Sequence, residues 1–179
     1  PPGDDIDSFI GRNAVEWVEA YNGDQPFYLQ VQFTGPHDPY DGPLDYRDRY
    51  DASELDPGIM ELPRPPYPLG MQDRLKRSGA VASATVEQRR RWRVGYYANI
   101  TLIDDWVGRI LDALDARGEL DNTWIIFNSD HGEMLGDHGL WSKWNFYEQS
   151  VRVPCILCPP KTRPLKNSIG WRSDALIEH

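Results

Sequence analysis

The sequence predicts an α/β fold in which a mostly parallel sheet is flanked by helices. Segments with helical spacing of apolar residues alternate with short apolar runs that are rich in aromatic and β-branched residues. One of these runs, residues 124–128, is typical of a strand that is covered on both faces. The 179 residues suffice for one domain with a sizeable core. Because residues 173–179 have the pattern of a helix start that is cut off, we expect residues 1–179 to be part of a single domain that is incomplete at both ends.

Local signals place the predicted elements along the chain. Thr85 and Gln88 have the form of a capping box that opens a long helix, and Gly118 is suited to end it. In chain order we predict a helix over 7–22, a strand over 27–33, the long helix from Val86, strands over 124–128 and 151–158, and a helix starting near Ser173. The buried stripe predicted for the long helix comprises Tyr96, Tyr97, Ile100, Ile103, Val107, Ile110, Leu111 and Leu114.

Residues 38–84 are predicted to form a long loop rich in proline and glycine. Eight prolines lie between Pro36 and Pro68, and each proline removes a backbone hydrogen-bond donor. Loops of this length are uncommon in compact domains and are often functional. The residues leave two interpretations open, a lid or substrate-pocket wall on one side and an irregular surface excursion on the other.

The formal net charge of −9 argues against a nucleic-acid partner. No basic patch offsets the acidic balance, so we expect no nucleic-acid partner. The sequence contains no uninterrupted run of about 18 apolar residues, so we predict no transmembrane helix and no membrane partner. The acidity is compatible with a site for a divalent cation. The oligomeric state, with a homo-oligomer as one option, and the compartment, cytoplasm or periplasm, stay open.

The two cysteines, Cys155 and Cys158, have the CxxC spacing of redox pairs and zinc sites. They fall in residues 151–158, which predict a buried strand, and positions three apart in a strand point to opposite faces. No second cysteine pair is present to complete a zinc site. We therefore interpret both as structural residues, and reduced cysteines slightly favour the cytoplasm.

Polar side chains follow two of the predicted strands, at the edge where open α/β sheets bind ligands. His37 comes just after the strand over 27–33, and Asp130 and His131 come just after the strand over 124–128. A carboxylate and an imidazole are good ligands for a divalent cation, and Gly132 lets the backbone turn tightly. Taken alone, this triplet is more readily explained by an Asx turn at the end of a strand.

Two longer stretches extend these polar clusters. Residues 128–154, NSDHGEMLGDHGLWSKWNFYEQSVRVP, closely resemble the C-terminal metal and anion motif of the sulfatase family, within the alkaline phosphatase superfamily. Residues 33–40, FTGPHDPY, resemble the Pro-His-x-Pro segment of the same family. The motifs occur in the family's order, and the resemblance covers most of the chain. His131 stands where many sulfatases have asparagine. A histidine at this position resembles the choline-sulfatase-like and phosphonate-monoester-hydrolase-like branches of the family.

The resemblance implies a role for four residues. It implies that Asp130 and His131 are two ligands of one catalytic divalent cation, Ca²⁺ or Mn²⁺ before Mg²⁺. It also implies that His37 donates to the oxygens of an anionic ester or protonates its leaving group, and that Lys143 binds the same oxygens. Cationic groups aimed at those atoms stabilise the negative charge that builds up there.

Other polar residues near these motifs have competing interpretations. From spacing alone, a solvated surface lysine is the commoner interpretation of Lys143. His138 lies in a second Asp-His-Gly triplet and could be a ligand, but the family pattern favours a structural position beside the site. Glu148 and Arg152 are interpreted as a structural charged pair.

The family's nucleophile motif, Cys/Ser-x-Pro-x-Arg, does not occur in these 179 residues. We therefore expect the chain to be the C-terminal portion of a catalytic domain, inactive alone, with a formylglycine nucleophile in an N-terminal part outside this sequence. The predicted function is metal-dependent hydrolysis of sulfate esters, with a small anionic ester as substrate. A phosphonate or phosphate ester hydrolase on the same scaffold and a non-catalytic remnant that binds an anion or a metal are the alternatives.

Overall fold

The computed structural model describes residues 5–64, 66, 70–77 and 79–163. Within them the helices are α1 (Ile6–Ala20), α2 (Leu44–Arg47), α3 (Met71–Arg77), α4 (Gly79–Ala82), α5 (Val86–Ala116) and α6 (Glu148–Val151). The strands are β1 (Ile125–Asn128) and β2 (Cys155–Cys158), and short 3-10 turns span Ala52–Glu54, Leu120–Asn122 and Asp137–Gly139. The helix predicted near Ser173 lies outside the described residues. None of the helices in the described ranges is long and apolar enough to cross a membrane.

Helix α1 forms where it was predicted and packs along α5. The Asp5 carboxylate caps its first turn by accepting a hydrogen bond from the backbone N–H of Ser8 at 2.7 Å. Val18 is 1% exposed and shares a core cluster with Ala113 and Leu114 of α5. Full burial of a valine-sized side chain stabilises a fold by about 1.5–3 kcal/mol, so this cluster holds the two helices together.

The long helix α5 begins and ends at the predicted residues. The backbone N–H of Thr85 donates to Gln88 Oε1 at 2.8 Å, and the backbone N–H of Gln88 donates to Thr85 Oγ1 at 3.2 Å. Just past the helix, Gly118 adopts a left-handed φ of 72°. The backbone N–H of Glu119 then donates to the carbonyl oxygen of Leu114 at 3.0 Å, which completes a Schellman end.

The buried face of α5 differs from the predicted stripe. Ile103 and Leu114 are buried as expected, whereas Ile100 is 41% exposed. Smaller residues are buried instead, because a neighbouring backbone approaches closely. A Cβ atom added to Gly95 would overlap the carbonyl oxygen of Tyr40. Apolar periodicity does not report such backbone contacts, which select small side chains rather than large apolar ones.

Strands β1 and β2 pair antiparallel, with Ile125 opposite Cys158 and Asn128 opposite Cys155. This is the one strand pairing in the described part of the chain, so the mostly parallel sheet is not found there. The predicted strand over 151–158 is shorter than expected, because α6 occupies its first residue. Both cysteines are free and exposed. Their predicted burial is wrong for this structure, since no described layer covers β2.

Residues 27–33 have no strand partner among the described residues, so the predicted strand is not formed there. Their side chains nevertheless alternate between half-buried odd positions and exposed even positions. This period of two is typical of an extended segment. Phe27 and Leu29 pack against the Val18 cluster, so the segment runs over the α1–α5 core and leads the chain to residues 34–37.

The predicted long loop over 38–84 contains regular structure. Helices α2, α3 and α4 and the turn Ala52–Glu54 all lie within it. Tyr46 of α2 is buried, and its hydroxyl donates to Asp105 Oδ2 of α5 at 2.8 Å, which anchors α2 on the long helix. These helices were not predicted because each spans only one or two turns, and apolar periodicity is detectable only over longer segments.

Candidate active site

The first loop of the site, residues 34–40, is anchored by a buried carboxylate of α1. Asp7 is 5% exposed. Its Oδ1 accepts from the backbone N–H and the hydroxyl of Thr34, at 2.6 and 3.0 Å, and its Oδ2 accepts from the backbone N–H of Gly35 at 2.9 Å. Hydrogen bonds to a charged acceptor are stronger than neutral ones. Asp7 therefore fixes the backbone two residues ahead of His37.

The second loop follows β1 and carries Asp130, His131 and Gly132, two to four residues after the end of the strand. The backbone N–H of Gly132 donates to the carbonyl oxygen of Ser150 at 2.8 Å, which ties the loop to α6. A Cβ atom at this position would overlap the carbonyl oxygen of Gln149, so glycine is required by the close approach. Asp130 Oδ1 accepts from the backbone N–H of His131 at 2.9 Å, while its side chain remains 85% exposed.

The side chains of Asp130 and His131 present two donor atoms to one point. His131 Nδ1 lies 2.8 Å from the carbonyl oxygen of Gly132. A carbonyl only accepts, so Nδ1 carries the proton and Nε2 keeps a lone pair. Nε2 lies 3.5 Å from Asp130 Oδ2. An ion at about 2.0–2.4 Å from each atom would fit between them, and a backbone partner for the second ring nitrogen is usual for metal-binding histidines.

Lys143 meets His37 across the two loops. Lys143 Nζ lies 2.5 Å from His37 Nε2, although the residues are 106 positions apart in the sequence. His37 Nδ1 lies 2.9 Å from the carbonyl oxygen of Asp38 and 3.0 Å from Asp38 Oδ1. Since both oxygens accept, Nδ1 carries a proton and Nε2 receives the hydrogen bond from the ammonium group. The His37 ring also lies 6.5 Å from the His131 ring, between centroids.

An aromatic cluster holds the two loops against α5. The Tyr40 ring, three residues after His37, lies 4.8 Å from the Trp141 ring, which is two residues before Lys143. Trp92 and Tyr96 of α5 contact these rings, with centroid distances of 5.0 Å for Trp92–Trp141 and 5.7 Å for Tyr40–Tyr96. Such pairs contribute about 0.5–1.5 kcal/mol each beyond the area they bury. The cluster therefore fixes the spacing between His37 and Lys143.

Burial also changes the acidity of these phenols. Desolvation, followed by the charge of Glu133, raises the pKa of Tyr96 to about 12. The same causes, in the same order, raise the pKa of Tyr40 above its ordinary value. Glu133 itself organises the second loop, because its Oε1 accepts from the backbone N–H groups of Leu135 and Ser142 at 3.1 and 2.5 Å.

A buried ion pair fixes the far side of the second loop. Asp137 and Arg93 have side chains that are 10% and 12% exposed, and Arg93 Nη2 donates to Asp137 Oδ1 at 2.6 Å. The backbone N–H of Ile59 donates to the same oxygen at 3.1 Å, and Gln149 Nε2 donates to Oδ2 at 2.9 Å. Arg89 of α5 is fully buried and donates to the carbonyl oxygen of Gly136. The loop is thereby clamped from three sides.

The structure brings the four predicted site residues together on one face. They form a Lys143–His37 pair and an Asp130–His131 pair, which the two histidine rings connect. In the described part of the chain no group of three or more His, Cys, Asp or Glu side chains is arranged for a metal ion. The two donor atoms fit one side of a metal site, and further ligands would have to come from elsewhere.

Several residues that organise the site were missed by sequence reasoning, namely Asp7, Trp92, Arg93, Glu133, Asp137 and Trp141. The sequence contained a weak signal for Arg93. Arg89 and Arg93 occupy positions i and i+4 of a helix, and arginines on a packed helix face need acceptors. The predicted pair of Glu148 and Arg152 is present, at 3.9 Å and largely exposed.

Comparisons with known proteins identify the family of the chain. The sulfatase family model matches residues 3–175. The choline-sulfatase of Rhizobium meliloti is 37% identical over 166 residues, which cover 90% of this chain and 32% of that relative. The arylsulfatase of Clostridium perfringens is 31% identical over 180 residues, which cover 96% of this chain and 35% of that relative.

The fold shows the same similarity. The phosphonate monoester hydrolase of Agrobacterium radiobacter superposes with a TM-score of 0.69 at 25% identity, over 86% of this chain and 33% of that chain. The chain thus spans about a third of the length of the curated relatives it matches. Because the family model matches nearly every residue from one end to the other, the chain belongs to the sulfatase family, within the alkaline phosphatase superfamily.

Proposed function

We propose that the protein containing this chain hydrolyses sulfate esters with the help of a divalent cation, and that this chain supplies part of the active site. The contact between Lys143 Nζ and His37 Nε2 supports the proposal most directly. It places an ammonium and an imidazole where one tetrahedral anion could receive hydrogen bonds from both. Two proteins whose names identify them as sulfatases are more than 30% identical to the chain.

Lys143 and His37 are proposed to act on opposite sides of the breaking bond. Without substrate, the ammonium donates to the imidazole. An anionic ester between them would accept from Lys143 through a non-bridging oxygen, and a protonated His37 would pass its Nε2 proton to the leaving oxygen. Asp38 orients the ring, because its Oδ1 lies 3.0 Å from Nδ1 and can accept a hydrogen bond from it. Donors aimed at developing charge lower the barrier most when they are already in place.

Asp130 and His131 are proposed as two ligands of the cation. A bound divalent ion would stabilise negative charge on the ester or on the nucleophile. The mixed oxygen and nitrogen donors are compatible with Mn²⁺ and Ca²⁺, and with Mg²⁺ as a third option. The chain's own contribution is to fix both donors. It does so through the Nδ1 contact to Gly132 and the backbone bond from Gly132 to Ser150.

The nucleophile is proposed to lie outside this chain. No Cys/Ser-x-Pro-x-Arg sequence occurs in the 179 residues, and Cys155 and Cys158 lie on β2 rather than at the loops of the site. The family resemblance indicates a formylglycine in that role. We therefore propose that the 179-residue chain alone does not turn over substrate.

A phosphonate or phosphate ester hydrolase is the second candidate function. The superposition on the Agrobacterium radiobacter phosphonate monoester hydrolase supports it, although that similarity is weaker in sequence than the similarity to the two sulfatases. The same four residues would serve either reaction, because both substrates present a tetrahedral anionic centre. The two candidates differ in the substrate that reacts faster.

A matched pair of substrates separates the candidates. We would assay the full-length protein that contains this chain with 4-nitrophenyl sulfate and with an aryl phosphonate monoester, each with and without chelator. We expect faster cleavage of the sulfate and loss of turnover in chelator. Faster phosphonate cleavage would move the function to the second candidate. Turnover that persists in chelator would contradict the metal dependence, and cleavage of neither ester would favour the non-catalytic remnant.

A further inference from the structure

Lys143 lies between two residues with unusual backbone conformations. Ser142 has a φ of 63° and Trp144 has a φ of 80°, and both values fall in the left-handed region that residues other than glycine rarely adopt. Such conformations persist only where neighbouring contacts enforce them, and they cluster at functional sites. The direction in which the Lys143 side chain leaves the loop therefore depends on the contacts that hold its two neighbours.

Glu133 and Met134 hold both backbone polar groups of Ser142. The Ser142 N–H donates to Glu133 Oε1 at 2.5 Å, and its carbonyl oxygen accepts from the backbone N–H of Met134 at 3.0 Å. The same Glu133 oxygen accepts from the backbone N–H of Leu135 at 3.1 Å, and Leu135 also has a left-handed φ, of 46°. One carboxylate oxygen thus stabilises left-handed backbone at two separate points of the second loop.

A charged acceptor is well suited to this position. Hydrogen bonds to a carboxylate are about twice as strong as neutral ones, and they strengthen further where water is excluded. Desolvation is the main reason that the pKa values of Tyr40 and Tyr96 are raised, and the charge of Glu133 is the second. The carboxylate therefore lies beside both phenols, in the partly dry layer between the second loop and α5.

The proposed metal ligands are held by other bonds. The backbone N–H of Gly132 donates to the carbonyl oxygen of Ser150 at 2.8 Å, and His131 Nδ1 lies 2.8 Å from the carbonyl oxygen of Gly132. Within the described ranges no group of three or more His, Cys, Asp or Glu side chains is arranged for a metal ion, so Glu133 is not a third donor beside His131 there. Removal of its carboxylate should therefore disturb Lys143 and spare the metal pair.

We propose that Glu133 is a positioning residue for Lys143. By fixing the backbone of Ser142, it holds the ammonium at the distance from His37 at which both groups can bind one tetrahedral anion. The proposal rests on the proposed ester hydrolysis at Lys143 and His37. It assigns anion affinity to a carboxylate whose hydrogen bonds are to the loop backbone, and it separates that affinity from metal binding.

Variants of the full-length protein test this role with 4-nitrophenyl sulfate as substrate. We expect Glu133→Ala to lower kcat/KM about a hundredfold, because a displacement of about 1 Å in a binding group can cost that much. Glu133→Gln should recover kcat/KM to within about threefold of the parent, because the amide oxygen still accepts both N–H groups. Asp51→Ala is the matched control and should leave kcat/KM unchanged. The Asp51 carboxylate also accepts from a backbone N–H, that of Ser53 at 2.7 Å, but at an exposed turn.

A double-mutant cycle with Lys143→Ala separates positioning from a general structural role. If Glu133 acts through Lys143, Glu133→Ala should lower kcat/KM by less than about threefold in the Lys143→Ala background. A further loss of about a hundredfold in that background would overturn the proposal. A Glu133→Gln variant as impaired as Glu133→Ala would overturn it too, and so would a Mn²⁺ affinity that falls together with kcat/KM.

Calorimetric titration with inorganic sulfate gives a second readout that does not require turnover. In the Mn²⁺-loaded full-length protein, Glu133→Ala should raise the Kd for sulfate about tenfold, the loss expected when one hydrogen bond to a charged group is misplaced. Ester hydrolysis that is unchanged in Glu133→Ala would overturn the positioning role and leave the proposed function standing. Sulfate binding that Glu133→Ala weakens, in a protein that hydrolyses no ester, would overturn the function and leave the positioning role standing. A parent protein that neither hydrolyses esters nor binds sulfate would overturn both.

Discussion

The chain contains the triplet Asp-His-Gly twice, at residues 130–132 and 137–139, and the two copies have opposite surroundings. The Asp130 side chain is 85% exposed, whereas the Asp137 side chain is 10% exposed. Asp130 accepts from the backbone N–H of the next residue. Asp137 accepts from Arg93, from Gln149 and from the backbone of Ile59. The first carboxylate is available to a ligand, and the second is committed to the fold.

The two histidines differ in the same way. His131 directs its Nε2 toward Asp130 Oδ2, and its ring lies near that of His37. His138 has a left-handed φ of 57° and stacks on Tyr147 with a centroid distance of 4.6 Å. Its backbone N–H donates to the carbonyl oxygen of Ile59 at 2.8 Å. The Asp-His-Gly sequence by itself therefore does not determine whether its side chains are available to a ligand. The first copy follows a strand, and the second lies in a 3-10 turn packed on α5.

The largest expected effect is on the free energy of unfolding, when the aspartate of the second triplet, Asp137, is replaced. Asp137→Ala removes a carboxylate that is paired with Arg93 and leaves that guanidinium buried without its counter-charge. Breaking one partner of a buried ion pair costs about 3–5 kcal/mol. We expect this loss of unfolding free energy in the full-length protein, measured by urea denaturation in chelator so that metal binding does not contribute.

Asp130→Ala is the matched control for this experiment. Because its side chain is exposed and bonds locally, the change should stay within about 0.5 kcal/mol under the same conditions. Equal destabilisation by the two substitutions would contradict the contrast between the triplets.

The second-largest expected effect is on metal affinity, when the histidine of the first triplet, His131, is replaced. We expect His131→Ala to weaken Mn²⁺ binding by about a hundredfold or more in the full-length protein, since loss of even an outer-shell partner costs about 10–100-fold. His138→Ala should leave the affinity nearly unchanged, because its ring stacks on Tyr147 and its Nδ1 lies 3.1 Å from the carbonyl oxygen of Glu61. Isothermal titration calorimetry measures both. Weaker binding in His138→Ala alone would exchange the roles of the triplets.

The third effect concerns the packing around Asp137. Gly58 has a φ of 83°, and a Cβ atom there would overlap Arg93 Nη2 and Asp137 Oδ1. Gly118 has a similar φ of 72°, and apart from its own chain neighbours no atom of the described residues lies within 4 Å of a Cβ atom added there. Gly118→Ala should therefore cost only the left-handed backbone strain, about 1–2 kcal/mol. Gly58→Ala should cost about 1–3 kcal/mol more, because the ion pair must shift. Equal thermal denaturation midpoints for the two variants would show that the pair is loosely held.

The sequence predicts well those features that depend on few neighbouring residues. The capping box at Thr85 and the helix end at Gly118 are local, and both are confirmed. His37, Asp130 and His131 follow apolar runs, whereas Lys143 was identified only through the resemblance of residues 128–154 to the family motif, and the structure gathers all four on one face. Their catalytic and metal-binding roles stay predictions.

The features that were missed depend on residues far apart in the chain. The bond from Asp7 to Thr34 and the pair of Arg93 and Asp137 span 27 and 44 residues. No periodicity links such positions. The strand predicted over 27–33 failed for a related reason, because a strand requires a partner and the described residues provide none.

The smallest expected effect is a dependence of the unfolding free energy on pH. It arises at Tyr96, because desolvation, and second to it the charge of Glu133 between the two triplets, raises the pKa of this phenol to about 12. The folded protein holds this proton up to about pH 12, whereas an unfolded tyrosine releases it near pH 10. The contribution of Tyr96 to stability is therefore complete below pH 10 and is lost as the pH rises toward 12. For one group the slope cannot exceed about 1.4 kcal/mol per pH unit. Urea denaturation between pH 9 and 12 should show a shallower decline in Tyr96→Phe than in the parent. Parallel declines would mean that the phenol is already solvated, and that the aromatic cluster between the two loops is more open than its centroid distances indicate.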